Sequence, residues 1–110
     1  MTKHYKLTEK EFSHFIPNKR SVEYIEHYRK KNNLKKEDIT ILDWGCGRGE
    51  IVLFLRELGY KAFGVEIDGE QINNGIELFI LKGYSKDVLQ LISPDGKTKF
   101  PENFFHFTIS

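Results

Sequence analysis

The strongest constraint on the fold of this chain is a glycine-rich turn that lies between an apolar segment and an amphipathic one. Residues 39–44 are β-branched and mostly apolar, which is typical of a strand buried on both faces of a parallel sheet. Residues 45–49 read GCGRG and turn the chain. Residues 50–58 follow with an apolar face at helical spacing, formed by Ile51, Phe54, Leu55 and Leu58.

The rest of the chain continues this alternation of helices and strands. Further strands are predicted over residues 61–67, 88–92 and 104–109, and further helices over residues 22–31 and between Asp68 and Gly83. Ser21 and Asp68 are the predicted caps of these helices, with Glu23 near the positive end of the first, and Gln71 resembles the second half of a capping box. The predicted buried face of the last helix consists of Ile72, Ile76, Phe79 and Ile80.

This order of elements predicts an α/β fold, namely a Rossmann-like open, mostly parallel sheet with flanking helices. Right-handed crossovers would place ligands beyond the carboxyl ends of the strands. We expect a helical leader over residues 1–38 and a Rossmann-like domain over residues 39–110, which ends after its fourth strand and is therefore incomplete.

Composition excludes several kinds of protein and site. The formal net charge of +1 argues against nucleic acid held by bulk electrostatics. The single cysteine allows no intramolecular disulfide, and neither it nor the four scattered histidines has metal-ligand spacing, so we predict no metal site. The longest apolar run has five residues and no signal peptide is visible, so we predict a cytoplasmic protein without a membrane span.

The glycine turn and one carboxylate together indicate a site for an adenosine group. Glu66 ends the second predicted strand, where a carboxylate can accept hydrogen bonds from both hydroxyls of a ribose. The glycines let the backbone turn tightly and approach a ligand with no Cβ in the way.

Residue 50 separates the two classes of cofactor that use such a site. The dinucleotide fingerprint G-x-G-x-x-G would require glycine where this chain has Glu50. A carboxylate in the first turn of the helix would repel a pyrophosphate. S-adenosylmethionine (SAM) carries no phosphate, so these residues favour the methyl donor.

Three motifs in the same order resemble the class I SAM-dependent methyltransferases. They are residues 41–49 (ILDWGCGRG), residues 64–68 (GVEID) and residues 100–110 (FPENFFHFTIS), the last being similar to the family's fourth-strand segment. The resemblance covers residues 40–110 and is to the type that acts on small molecules or sugars. It implies SAM as the cofactor and, with the rest of the analysis, a site formed by Asp43, Gly45, Cys46, Gly47, Gly49, Glu66, Ile67 and Asp95.

The resemblance also implies individual roles. Gly45 and Gly47 would lie behind the methionine portion of the cofactor, and Asp43 would either order the loop or reach the amino group. At the other end, Glu66 would hold the ribose hydroxyls. Ile67 would then pack on the adenine face, with Asp95 at the adenine edge.

Several residues have a structural interpretation beside the functional one. Asp68 is predicted to be a helix cap more than a ligand, and Cys46 a small turn residue more than a nucleophile. Four aromatic residues before the first strand would either cover the site as part of a lid or pack at the terminus, and these are Tyr5, Phe12, Phe15 and Tyr24.

The predicted function is methyl transfer from SAM to a small-molecule acceptor, with this chain as the cofactor-binding part. Two departures from the family bear on activity. His106 stands where the family usually has aspartate, and the segments that shape the acceptor site would follow the fourth strand, so no catalytic base can be named. The alternatives are a SAM-binding module without catalytic activity and an NAD-type dinucleotide-binding domain.

An apolar fourth strand at the edge of the sheet predicts self-association. Its unpaired backbone groups would be free to pair with another chain. Light scattering at high concentration measures this directly, and a monodisperse monomer would contradict the prediction.

Overall fold

The computed structural model describes residues 16–109, and within this range the chain forms three α-helices and one four-stranded sheet. The helices are α1 (Ile16–Lys31), α2 (Glu50–Glu57) and α3 (Gly69–Leu81), with a short 3-10 helix over Lys36–Asp38. The strands are β1 (Thr40–Trp44), β2 (Lys61–Glu66), β3 (Leu89–Leu91) and β4 (Phe107–Ile109). The elements follow the predicted order.

The sheet is parallel throughout, with the strand order β3-β2-β1-β4. β1 therefore lies between β2 and β4, and the direction of winding reverses beside it. In open α/β sheets, ligands bind at such a switch point, outside the carboxyl ends of the strands. The register pairs Trp44 with Val65, so the ends of β1 and β2 lie side by side. The predicted α/β, Rossmann-like class is confirmed.

All three helices contribute to one hydrophobic core. Ile25 of α1, Val52 of α2 and Phe79 of α3 are almost completely buried, and they belong to the same cluster as Ile41 and Ala62 of the sheet. Burying side chains of this size supplies the main free energy of folding, at roughly 25 cal/mol for each Å² removed from water.

The predicted start of α1 was wrong. The helix begins at Ile16 and runs through Ser21, so Ser21 is not its cap and Glu23 is not in its first turn. Pro17 lies in the first turn, where a missing backbone N–H costs nothing because that group has no partner within the helix. The predicted end holds, since Lys31 is the last helical residue and Asn33 has a positive φ of 55°.

α1 is joined to the residue before β2 by partly buried polar contacts. The hydroxyl of Tyr60, a residue that is 2% exposed, donates to Glu26, and Arg29 donates two hydrogen bonds of 2.8 Å to the same carboxylate. The hydrogen bonds from Arg29 are the main reason that the pKa of Glu26 is lowered to about 2. α1 thus packs on the sheet, and the boundary at residue 38 stays a prediction.

The buried faces of α2 and α3 differ in part from the predicted ones. In α2, Leu55 is fully buried as expected, but Val52 and Leu53 are buried more deeply than the other predicted residues. In α3, Ile72 and Phe79 are buried, whereas Ile80 is 52% exposed and was predicted wrongly. Ile80 follows Ile72 by eight residues, so its side chain is rotated by about 80° around the helix axis relative to that of Ile72. This rotation places Ile80 outside the buried face.

Within residues 16–109, phenylalanines and not a helix cover the opposite side of the sheet. Phe63 lies between two residues of β2 that face the core, and successive residues of a strand point to opposite sides. The side chain of Phe63 therefore points to the other side of the sheet. Its ring lies 5.2–5.9 Å from the rings of three residues in the connection between β3 and β4, which are Phe100, Phe104 and Phe105. Residues 92–106 of this connection, all of which the structure describes, contain no helix.

β4 is shorter than predicted because its expected first residues turn toward Phe63. It begins at Phe107, and the register to β1 is set just before it. The backbone N–H of His106 donates to the carbonyl of Thr40 at 2.9 Å, and Nδ1 of His106 accepts the N–H of Thr40 at 3.1 Å. His106 thus supplies a side-chain acceptor at a position where the family usually has aspartate. Among the described residues β4 pairs only with β1, and self-association through its other edge stays a prediction.

Candidate functional site

The glycine turn is held by hydrogen bonds that use its own amide groups. The N–H groups of Gly45 and Cys46 both donate to the carbonyl of Val65 at 2.9 Å. The N–H of Gly47 donates to Oε1 of Glu66 at 2.8 Å, and that of Gly49 to the carbonyl of Cys46 at 2.9 Å. Four of the five amides in the turn are therefore occupied within the protein.

Three glycines of this turn have positive φ angles, which L side chains rarely adopt. The angles are +77° at Gly45, +59° at Gly47 and +88° at Gly49. The space at the Cβ position differs among them. Gly45 faces open space, whereas a Cβ at Gly49 would lie 2.8 Å from Leu89 and 3.1 Å from Phe79. Gly45 is thus open to a ligand, and Gly49 is required by the packing of the core.

Glu66 joins two loops through its carboxylate. One oxygen accepts the N–H of Gly47, and the other accepts the N–H groups of Ile67 at 2.8 Å and Asp68 at 2.9 Å. These hydrogen bonds, with that from Asp68 first, lower the pKa of Glu66, so the side chain is ionised at neutral pH. Oε1, which accepts only the N–H of Gly47, keeps lone-pair capacity for one further donor such as a ribose hydroxyl, whereas Oε2 already accepts two hydrogen bonds.

Asp43 is a buried carboxyl group at the end of β1, directly before the glycine turn. The residue is 3% exposed, and none of the described residues donates a hydrogen bond to its side chain. Burial, followed by the negative charges of Glu50 and Glu66, raises its pKa to about 7. A carboxylate in these surroundings is stabilised by a cation.

A cleft of about 150 Å³ opens at the carboxyl ends of β1, β2 and β3. It is lined by Trp44, Gly45, Glu66, Ile67, Ile92, Ser93, Pro94 and Gly96. Three of the predicted site residues, Gly45, Glu66 and Ile67, therefore meet in one cleft. Ile67 is 56% exposed and Trp44 is 40% exposed, so both present apolar surface to it.

The other predicted site residues lie around this cleft and do not line it. Asp95 is in the adjoining loop, where its carboxylate accepts hydrogen bonds from the hydroxyl of Ser93 at 2.7 Å and the N–H of Lys97 at 3.0 Å. It orders the turn, and its contact with an adenine edge stays a prediction. Gly47 and Asp43 are each two residues from Gly45 along the chain and do not line the cleft.

The structure supports the structural interpretations of Cys46 and Asp68. Burial, with the nearby charge of Asp43, raises the pKa of the Cys46 thiol to about 12, which leaves no reactive thiolate at neutral pH. Asp68 caps α3 by accepting the N–H groups of Glu70 and Gln71. The predicted capping box is not formed, because the backbone N–H of Asp68 is already bound to Glu66.

Trp44 and four residues of the loop after β3 line the cleft, and the sequence analysis named only Asp95 from this loop; the four are Ile92, Ser93, Pro94 and Gly96. Trp44 reads as one more apolar residue of a buried strand, and only its position at the strand's end could have indicated exposure. Tyr24, predicted as part of a lid or of the terminal packing, is 67% exposed and contacts the ring of Phe107. The other three aromatic residues of that prediction lie outside the described residues.

The described residues hold no candidate metal site and no candidate membrane span. No group of three or more His, Cys, Asp or Glu side chains within residues 16–109 is arranged to hold a metal ion. None of the helices in this range combines the length and apolar character needed to cross a membrane.

Solved structures of methyltransferases share this fold. A SAM-dependent methyltransferase from Aquifex aeolicus matches 74% of the chain with 24% identity and a TM-score of 0.52. Geranyl diphosphate C-methyltransferase from Streptomyces coelicolor A3(2), solved with Mg²⁺, geranyl diphosphate and S-adenosyl-L-homocysteine, matches 97% with 19% identity and a TM-score of 0.53. The bifunctional kinase-methyltransferase WbdD matches 77% with 19% identity and a TM-score of 0.57.

These matches concern the fold, and they cover only part of each solved structure. The chain spans 45%, 43% and 18% of the three proteins, respectively. No protein-family model matches the sequence, and no curated protein matches it significantly. The predicted likeness to the methyltransferases is confirmed at the level of the fold.

Proposed function

We propose that this chain, which has the fold of the class I SAM-dependent methyltransferases, is the SAM-binding part of such an enzyme. The observation that carries the proposal is the charge of the site. Asp43 is 3% exposed, and the carboxylates of Glu50 and Glu66 add to the effect of burial on its pKa. Glu50 is already paired with Arg48 at 2.8 Å, so the group that a positively charged ligand would stabilise is Asp43, and SAM carries both an ammonium and a sulfonium group.

The hydrogen bonds made by the amide groups of the glycine turn also favour SAM over a dinucleotide. A dinucleotide needs free N–H groups at a helix N-terminus to bind its pyrophosphate. Here the N–H groups of Gly45, Cys46, Gly47 and Gly49 are bound within the protein, and Glu50 adds a negative charge to the first turn of α2. A cation is therefore favoured over a phosphate at this loop.

The residues fit the separate parts of SAM. Gly45 has open space at its Cβ position, which leaves room for the methionine portion, and Asp43, two residues before it, would meet the ammonium group. Glu66 lines the cleft, and its Oε1 has capacity to accept a hydrogen bond from a ribose hydroxyl. Ile67 offers an exposed apolar side chain to the base.

The proposed reaction is transfer of the methyl group to a small-molecule acceptor. SAM supplies an electrophilic methyl group, whose bond to sulfur breaks as the bond to the acceptor's nucleophilic atom forms. The sulfur keeps the electron pair and becomes a neutral thioether. The residues described here would bind and orient the donor, and positioning of this kind can account for a large part of the rate enhancement.

Calorimetric titration with S-adenosylhomocysteine tests the proposal. We expect saturable binding to the purified chain and a loss of affinity of about 100-fold in Glu66→Ala, because the substitution removes a charge-assisted hydrogen bond to the ribose and the carboxylate that holds the two loops together. Glu66→Asp keeps the charge on a shorter side chain and should fall between the two. Glu102→Ala, at an exposed carboxylate far along the chain, is the matched control and should bind as the wild type does.

The outcomes separate the competing functions. Binding without methylation of any acceptor would leave a SAM-binding module without catalytic activity. Tighter binding of NAD than of S-adenosylhomocysteine would overturn the proposal in favour of a dinucleotide-binding domain. No binding by a chain with a cooperative thermal transition would also overturn it.

A further inference from the structure

The cleft is too small for a whole cofactor and has the size of one part of it. Sites for small molecules usually enclose about 300–1,000 Å³, and this cleft encloses about 150 Å³. Its one ionised group is the carboxylate of Glu66, and its remaining walls are mainly apolar side chains and glycine backbone. A polar end beside flat apolar walls suits a nucleoside, with the ribose at Glu66 and the base between the walls.

Trp44 forms one of these walls. It is the last residue of β1, directly before Gly45, and 40% of its surface is exposed. The edge of its indole ring lies beside the loop after β3, since a Cβ built on Gly96 would lie 3.6 Å from Cζ2 and Cη2. The ring therefore bridges the glycine turn and the third-strand loop without being buried by either.

Apolar side chains from β2 and the third-strand loop complete the enclosure. Ile67 follows Glu66 and is 56% exposed, and Ile92 and Pro94 lie on the loop after β3. An exposed tryptophan and an exposed isoleucine in one cleft are costly in water, because the hydrophobic effect favours covering both. A planar heterocycle covers them together.

We propose that the indole of Trp44 is the surface on which the purine base of the ligand packs, and that it makes the site selective for purine over pyrimidine nucleosides. The inference rests on the proposed function and adds the residue that recognises the base. Stacking on an aromatic side chain is worth enough to change affinity about tenfold or more. A purine has the larger ring system and covers more of the indole than a pyrimidine does.

The fluorescence of Trp44 provides the test, since the chain contains one tryptophan. Adenosine and S-adenosylhomocysteine should each quench or shift this emission saturably, with the dissociation constants that calorimetry gives. Cytidine should bind at least tenfold more weakly than adenosine. Trp44→Leu should weaken binding of both adenosine and S-adenosylhomocysteine about tenfold, whereas Trp44→Phe should stay within about threefold of the wild type.

The failures of the two proposals can be told apart. If calorimetry shows S-adenosylhomocysteine bound while the emission of Trp44 is unchanged and Trp44→Leu binds normally, the role of Trp44 is wrong and the proposed function stands. If cytidine binds as well as adenosine, the selectivity is wrong. If the folded chain binds neither nucleoside nor S-adenosylhomocysteine, both proposals fail. Thermal melting of both variants distinguishes lost binding from lost folding.

Discussion

Replacing Gly75 with alanine is expected to lower the free energy of unfolding by about 3 kcal/mol. Helix propensity alone would favour alanine at this interior position of α3 by about 1 kcal/mol. The packing reverses that preference, because a Cβ at Gly75 would overlap the carbonyl oxygen of Arg48 and lie 2.8 Å from Cδ1 of Leu89. The oxygen belongs to the backbone of the glycine turn, which cannot withdraw without disturbing the start of α2.

Gly69 provides the matched control in the same helix. It is the first residue of α3, and a Cβ there would meet nothing within 4 Å. Gly69→Ala should therefore stabilise the chain by about 0.5–1 kcal/mol, mainly by restricting the unfolded state. Urea unfolding measures both variants. Equal effects of the two substitutions would contradict the close approach of α3 to Arg48.

The second large effect is expected from Asp43→Asn, which should raise stability while it weakens binding of SAM. The pKa of Asp43 is about 7 in the folded chain against an ordinary value of 3.8, so the folded state holds this proton more tightly than the unfolded state. The resulting stabilisation is complete below pH 3.8 and is lost as the pH rises through 7. An asparagine side chain does not ionise, so at pH 8 the variant should be the more stable by up to about 4 kcal/mol.

Urea unfolding of the wild type and Asp43→Asn between pH 4 and pH 8 tests this. The two should differ little at pH 4 and diverge as the pH rises, whereas Asp87→Asn, at an exposed carboxylate, should follow the wild type throughout. A difference independent of pH would show that Asp43 does not titrate as described. Affinity for SAM should fall about tenfold in Asp43→Asn, because the carboxylate that faces the cation is lost.

The glycine turn and its carboxylates could be predicted because their residue types impose local constraints. Positive φ angles at Gly45, Gly47 and Gly49 need glycine wherever the turn is placed, and Asp68 can cap a helix by itself. Such signals require no knowledge of distant residues. They also fix the order of strands and helices, since each turn separates two periodic segments.

The features that sequence reasoning missed all depend on distant partners. Gly75 reads as a weak point in a helix until Arg48 is seen against it. Ile80 fits the helical period of the buried face, but that period does not define where the centre of the face lies. The face is centred on the side of Phe79, so Ile80 is left exposed. Trp44 belongs to a strand that is otherwise buried, and its exposure follows from the position of the third-strand loop.

Glu66 gives this site a property that neither loop has alone. Its carboxylate joins the glycine turn before α2 to the cap of α3, and one oxygen of the same carboxylate would receive the ribose. Binding of a ligand to Glu66 would therefore affect the N-termini of α2 and α3 together. Substitutions in either loop could therefore tune affinity during evolution without contacting the ligand, by altering how firmly one shared anion is held in place.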